Sequence, residues 1–192
     1  MTTTKLRLTI MNSNTEKPWI EAGYKTFARE GLSGLKVEKL ARLVQKSKSS
    51  FYHLFADVEI FTDCLLEYHI VRGKAIAEEA KCCKTMVPDM IALLLTLHDD
   101  LLFNRQLRIH RNNPDFKRTF ELAHKPVEAA LLSIWTASLG LEEKPHLARI
   151  ILSLIIDNFY LRLTEETLTE SWLIAYLAEI QLMVRESLHS SI

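Results

Sequence analysis

The stretch Val37-Glu38-Lys39-Leu40-Ala41-Arg42-Leu43-Val44-Gln45-Lys46-Ser47-Lys48-Ser49-Ser50-Phe51-Tyr52-His53-Leu54-Phe55 decides the fold. Val37, Leu40, Ala41 and Val44 recur at i, i+3, i+4, i+7 and predict a short helix. Ser47 carries the hydroxyl that caps a helix N-terminus, so a second helix follows after a turn of a few residues. In it Phe51, Leu54 and Phe55 lie on one side. Lys48, Ser49, Tyr52 and His53, related by three and four residues, share the other. A DNA-reading helix-turn-helix asks its second helix to pack with one side and enter the major groove with the other. A cation, a small hydroxyl, a phenol and an imidazole suit phosphate contacts and base-edge hydrogen bonds. The same spacing also fits a plain helical hairpin with a solvated polar face.

Upstream, Pro18 sits where a first helical turn tolerates it. Trp19, Gly23 and Phe27, with Ile20 and Tyr24 beside them, form a stripe that ends at Gly31, a natural C-terminal stop. Downstream, a fourth helix is predicted from about Asp57 to Cys83. Pro88 opens another to about Arg105, and Asn113-Pro114-Asp115 starts a short one. Lys125-Pro126 predicts a break, with a further helix to Gly140. Two apolar helices, roughly 145–165 and 169–188, close the chain. Five glycines and five prolines in 192 residues are few for a chain of short strands. The expectation is an all-α fold of about nine helices. Residues 1–15 form a mobile arm, 16–60 the helix-turn-helix, and 61–192 a helical domain for ligand binding and dimerisation.

Charge follows this division. The chain is neutral overall, but ten basic side chains stand against six acidic ones up to residue 60. That is a net +4, leaving −4 for the remainder, which suits a polyanion at one end only. Cys64, Cys82 and Cys83 are odd in number, and none belongs to a Cys-x-x-Cys pair. This pattern favours a reducing compartment. No signal peptide and no membrane span are expected, so the cytoplasm is the predicted location.

Trp19 to Gly23, continuing through Phe27-Ala28-Arg29-Glu30-Gly31-Leu32, resembles the first helix of the tetracycline-repressor (TetR) family of bacterial transcriptional regulators. Val37 to Arg42 looks like that family's second helix. Ser47 to Phe55 looks like its recognition helix, including the aromatic pair and closing Phe. The likeness covers about residues 18–66. It implies a homodimer, a double-stranded DNA operator, and a small-molecule inducer in the C-terminal domain. It also implies DNA contacts from Lys36, Lys46, Ser47, Lys48, Ser49, Ser50, Tyr52 and His53. Four positions depart from the family: Gln45 and Lys46 replace a Gly and an apolar residue in the turn. Lys36 replaces a Thr before the second helix, and Val58 replaces a Lys that commonly opens the fourth.

The last two helices are apolar nearly all round, so each must be covered on more than one side. A symmetric partner covers the second side. The predicted interface comprises Leu147, Ile151, Leu154 and Ile155 with Leu173, Tyr176, Leu177, Ile180 and Val184. Such a dimer would set its recognition helices about 34–36 Å apart, one DNA turn. A mostly apolar ligand, held by one or two hydrogen bonds, is expected among the helices of 86–139, with Tyr160 added from the next helix. Its predicted contacts are Met90, Leu94, His98, Phe103, Phe120, Trp135 and Tyr160. Gly73, within the fourth helix, marks either a hinge or close helix packing.

Rival chemistry is thinner. Glu-x-x-His occurs at Glu121/His124, Glu143/His146 and Glu186/His189. Such pairs ligate metals in di-iron bundles, but each lies at an expected helix end. No Gly-rich phosphate loop or nucleophile elbow is present. Neither an enzyme nor a cofactor or metal is expected. A degenerate regulator acting as a non-DNA-binding adaptor is the main alternative, with a metal-dependent bundle enzyme behind it. Asp99-Asp100 is expected on a solvated face, beside a half-buried His98.

Overall fold

Helix α1, Lys17–Glu30, starts with Pro18 in its first turn and ends at Gly31, whose φ of +64° lies in the left-handed region. A single 3-10 turn over Gly31–Gly34 leads to α2, Val37–Leu43, and α3, Lys48–Phe55. Helix α4 then runs from Val58 to Ala80. The structure is a computed structural model that describes residues 14–189, with side chains through Ser187. The expected arm therefore lies almost wholly outside the described residues.

The remaining helices are α5 (Ile91–Thr96), α6 (His98–Ile109), α7 (Pro114–Ser138), α8 (Pro145–Arg162) and α9 (Glu170–His189). Among the described residues there are nine α-helices and no strand. No helix among them is long and apolar enough to cross a membrane.

Two boundaries differ from expectation, in opposite senses. No break occurs at Lys125-Pro126, because α7 runs through Pro126. The proline lacks the N–H that would bond to the carbonyl of Leu122. Leu122 is exposed, so solvent can satisfy that carbonyl. Conversely, the single helix expected from Pro88 to Arg105 divides. A wide turn over Met86–Met90 precedes α5, and Leu97 (φ −98°, ψ 29°) separates α5 from α6.

One continuous core runs from the N-terminal helices into the body. Trp19, Phe27, Leu40, Phe51 and Phe61 are fully buried and belong to the same cluster as Phe103, Leu107 and Leu163. The expected boundary between residues 60 and 61 thus falls inside α4 and inside this core. A second cluster joins Trp135, Ala148, Leu152, Tyr176, Leu177 and Ile180 where α7, α8 and α9 meet.

Gly73 decides how α4 lies on α7. A Cβ added there would come within 2.5 Å of the Ala123 carbonyl oxygen and 2.8 Å of its Cα. The obstacle is backbone, which cannot swing aside as a side chain can. Gly73 is therefore a close-packing site in a regular helix, the second of the two readings above. Gly73→Ala should destabilise the protein by about 1–3 kcal/mol through overpacking. A denaturant titration tests this, and a variant as stable as the parent would contradict the packing.

Candidate functional site

The reading head is built from α2 and α3 on an aromatic base. Phe51 is fully buried and meets Trp19 edge-on at 5.4 Å between centroids. Phe55 packs on Phe61 at 4.8 Å. Burial of these rings fixes the rotation of α3, so its other face must turn outward. Lys48, Ser49, Tyr52 and His53 are exposed there, and so are Lys36, Lys46 and Ser47. Ser50 is placed differently. It is half-buried, its N–H donates to Ser47 Oγ at 3.2 Å, and the two hydroxyls lie 2.9 Å apart. Ser50 thus completes the helix cap.

The turn explains how Gln45 occupies a position that favours glycine. Gln45 has φ +55°, in the left-handed region. The Lys46 N–H donates to the Ala41 carbonyl at 3.0 Å and the Gln45 N–H to that of Arg42 at 3.3 Å. This pair of bonds is a Schellman closure of α2, which ordinarily ends on Gly. A non-glycine residue there costs about 1 kcal/mol or more. At the far end of α3, Ala56 also has positive φ (60°), and the Asp57 N–H donates across it to the Phe55 carbonyl at 2.6 Å. Asp57 then caps α4 by accepting from the Ile60 N–H at 2.8 Å.

One acidic group stands within the basic face. Lys48 Nζ donates to Glu38 Oε1 at 3.1 Å, and both side chains are exposed. Its own backbone amide and Lys48 hold the Glu38 carboxyl below the usual carboxylate range. Lys48 therefore presents less net positive charge than a free lysine would.

The second part of the site is a partly open cavity of about 130 Å³ between the helices of the body. Met90, Leu94, Trp135 and Tyr160 line it, as expected from the sequence. The other three expected liners do not. His98 is half-exposed beside Asp99. Phe103 belongs to the core, stacked on His69 at 4.4 Å and on Tyr24 at 4.5 Å. Phe120 stacks on His124 at 5.0 Å and borders an open recess beyond it.

The polar wall of the cavity comes from residues not expected there from the sequence: His69, Asp100, Asn104 and His124. Asp100 is buried, contrary to the solvated face expected for it. It accepts two bonds from Arg72, at 2.9 and 2.6 Å, and one from the Tyr24 hydroxyl at 2.8 Å. The Tyr24 oxygen also lies 2.6 Å from His69 Nδ1, and His69 Nε2 lies 2.9 Å from Asn104 Oδ1. Asn104 in turn bonds with Tyr160.

Burial pushes the His69 imidazole down to about 4, so it is neutral at pH 7. Tyr24 has one proton, and the Asp100 carboxylate takes that hydrogen bond. Neutral His69 carries one ring proton, donated from Nδ1 to the Tyr24 oxygen in one tautomer and from Nε2 to Asn104 Oδ1 in the other. The network joins α1, α4, α6 and α8. It therefore links the first helix of the reading head to the cavity wall.

No family model and no curated protein matches the chain. The functional reading rests on the geometry and on the sequence pattern.

The predicted interface divides between two environments. Leu173, Tyr176, Leu177, Ile180 and Val184 on α9 are buried within the chain itself. Leu147, Ile151 and Ile155 on α8 are half-buried, and Leu154 is 74% exposed. The apolar surface left uncovered consists of Ile150, Leu154 and Leu161 on α8 and Ile174, Leu182 and Met183 on α9. An ion pair between Arg162 and Glu179, at 2.8 Å, joins the two helices at the surface. On α9 the sequence reading took the chain's own core for the outer face, because both stripes have helical period.

Among the described residues the Glu-x-x-His side chains form no metal-holding group. Glu121 is exposed while His124 is largely enclosed, both members of Glu143/His146 are exposed, and the His189 side chain lies outside the described residues. Among the described residues no three His, Cys, Asp or Glu side chains come together to hold a metal ion.

Proposed function

We propose that this chain is a TetR-type transcriptional regulator. In this reading it is a homodimer that binds operator DNA through α3 and releases it on taking a small, mostly apolar ligand into the cavity. The observation that carries the reading is the division of α3. Phe51 and Phe55 are locked into the core, while Lys48, Ser49, Tyr52 and His53 stand outward on a capped helix. That is the arrangement a major-groove helix requires. The apolar cavity, and the Tyr24 network that ties α1 to its wall, support the sensing half of the reading.

The test is binding to random-sequence duplexes at two salt concentrations, followed by selection of the preferred site. Replacing Tyr52 or His53 by Ala should cost about 1–3 kcal/mol on the selected site. Lys48→Ala should reduce affinity and lower the salt slope by about one. Glu38→Gln should act oppositely, raising affinity, because it removes an anion from the face and frees Lys48. Absence of binding at low salt, or affinity indifferent to Lys48→Ala, would sink the regulator reading. The Lys48–Glu38 ion pair is the feature that favours the alternative, an adaptor that keeps the fold without binding DNA.

Assembly has its own test. The uncovered apolar side chains of α8 and α9 are the proposed dimer surface, and Leu154 is the most exposed of them. Leu154→Glu should convert the dimer to a monomer at micromolar concentration, measured by light scattering, without loss of helicity. A parent protein that scatters as a monomer would remove dimerisation from the proposal.

A further inference from the structure

The cavity wall has one uncommitted polar group, and its size and charge limit what it can hold. Asp100 is taken up by Arg72 and Tyr24, and Asn104 by His69 and Tyr160. The Trp135 indole N–H donates to the Ala148 carbonyl at 2.9 Å, and the Tyr176 hydroxyl donates to Asn158 at 3.2 Å. His124 alone among these wall residues has ring contacts, to Phe120 and Tyr160, but no hydrogen bond. Its surroundings are otherwise closed, and the part of its ring that protein leaves uncovered borders the cavity and the adjoining recess.

We infer that the cavity takes a compact, uncharged molecule of about one aromatic ring, bearing a single hydroxyl that hydrogen-bonds to His124. Three observations limit the ligand in this way. A dry cavity of roughly 150 Å³ holds benzene, so about 130 Å³ accommodates one ring and little more. No free carboxylate remains for a cationic ligand, because Asp100 is already saturated. An anionic ligand would also lack a partner: among the described residues no Lys or Arg lines the cavity, and Arg108, paired with Asp157 and lying over the Phe120 ring, borders the recess instead. Burying an ion without a partner is far more costly than burying a hydroxyl. Neutral imidazole offers one donor and one acceptor, so a hydroxyl satisfies it in either tautomer. Tyr160, Asn104 and His69 continue from the same wall to Tyr24, so an occupant touches the network that reaches α1.

This inference rests on the sensing role proposed above, and its test needs no DNA. Phenol, toluene and benzoate are titrated into the full-length protein by calorimetry. Phenol should bind about five- to tenfold more tightly than toluene, the effect of one net hydrogen bond. Benzoate should not bind detectably. In His124→Leu the phenol-to-toluene ratio should fall to about one while toluene binding persists, which also reports that the variant has folded. If that variant does not fold, the order of the three probes on the parent protein decides alone. Equal binding of phenol and toluene, tighter binding of benzoate, binding of no probe, or a ratio unchanged in His124→Leu would each overturn the assignment. Probe binding as expected without DNA binding would refute the regulator and leave the ligand assignment standing; DNA binding without probe binding would do the reverse.

Discussion

Acidification from pH 7 to pH 4 is expected to cost the folded state up to about 3 kcal/mol at His69, with His124 adding in the same direction. Burial lowers both imidazoles to about 4, against about 6.5 in an unfolded chain. Above pH 6.5 both states are neutral and the groups contribute no pH dependence. Between 6.5 and 4 the unfolded chain binds protons that the folded chain refuses, so stability falls as pH falls. Below about 4 the loss is complete. Denaturant titrations at half-unit intervals would measure it. Carboxylates contribute at the acid end, so the decisive quantity is the difference between the parent and His69→Gln. The variant should have a shallower slope between pH 6.5 and 4. An equal slope would show that His69 takes up a proton in the fold as readily as outside it.

Asp100→Ala should destabilise the protein by about 3 kcal/mol, at the lower end for loss of one member of a buried ion pair. The carboxylate is buried and serves three donors at once. Its removal leaves the Tyr24 hydroxyl without its acceptor and the Arg72 guanidinium without its counter-charge. Arg72 is about one-third exposed, so water offsets part of the loss on that side. Tyr24→Phe is the informative comparison. It keeps the Arg72–Asp100 pair and removes only the hydroxyl that His69 and Asp100 share, which should cost about 1–2 kcal/mol. If Asp100→Ala costs no more than Tyr24→Phe, the ion pair contributes nothing beyond the tyrosine bond.

The reading head was legible because its signals are local. A hydroxyl cap at Ser47, apolar spacing in α2 and an aromatic stripe in α3 all lie within nineteen residues of sequence. The break at Leu97 has neither glycine nor proline to mark it. The retrospective signal is acidic: Asp99 and Asp100 occupy the first turn of α6, where the helix dipole favours carboxylates. His69 was also within reach, since it continues the buried stripe of Phe61, Leu65 and Leu66 on α4. The Tyr24–Asp100 bond was not, because it spans 76 residues and only the tertiary fold brings the partners together. The same limit applies to α9, whose inner and outer faces are both apolar. Periodicity identifies a face to be covered but not whether the same chain covers it.

The proline in α7 gives the cavity a compliant wall. A regular helix resists bending because every turn is braced by its own ladder of bonds. At Pro126 one rung, to Leu122, is missing, two residues beyond His124. The preceding segment lies against α4 at Gly73 with almost no clearance, so it cannot retreat as a rigid rod. The segment after Pro126 carries Leu131 and Trp135 into the cavity from the other side of that missing rung. An occupant slightly larger than the resting void would thus meet a stiff half and a yielding half of the same helix. Strain would be relieved by a change of angle at Pro126, with the contact between α4 and α7 left in place.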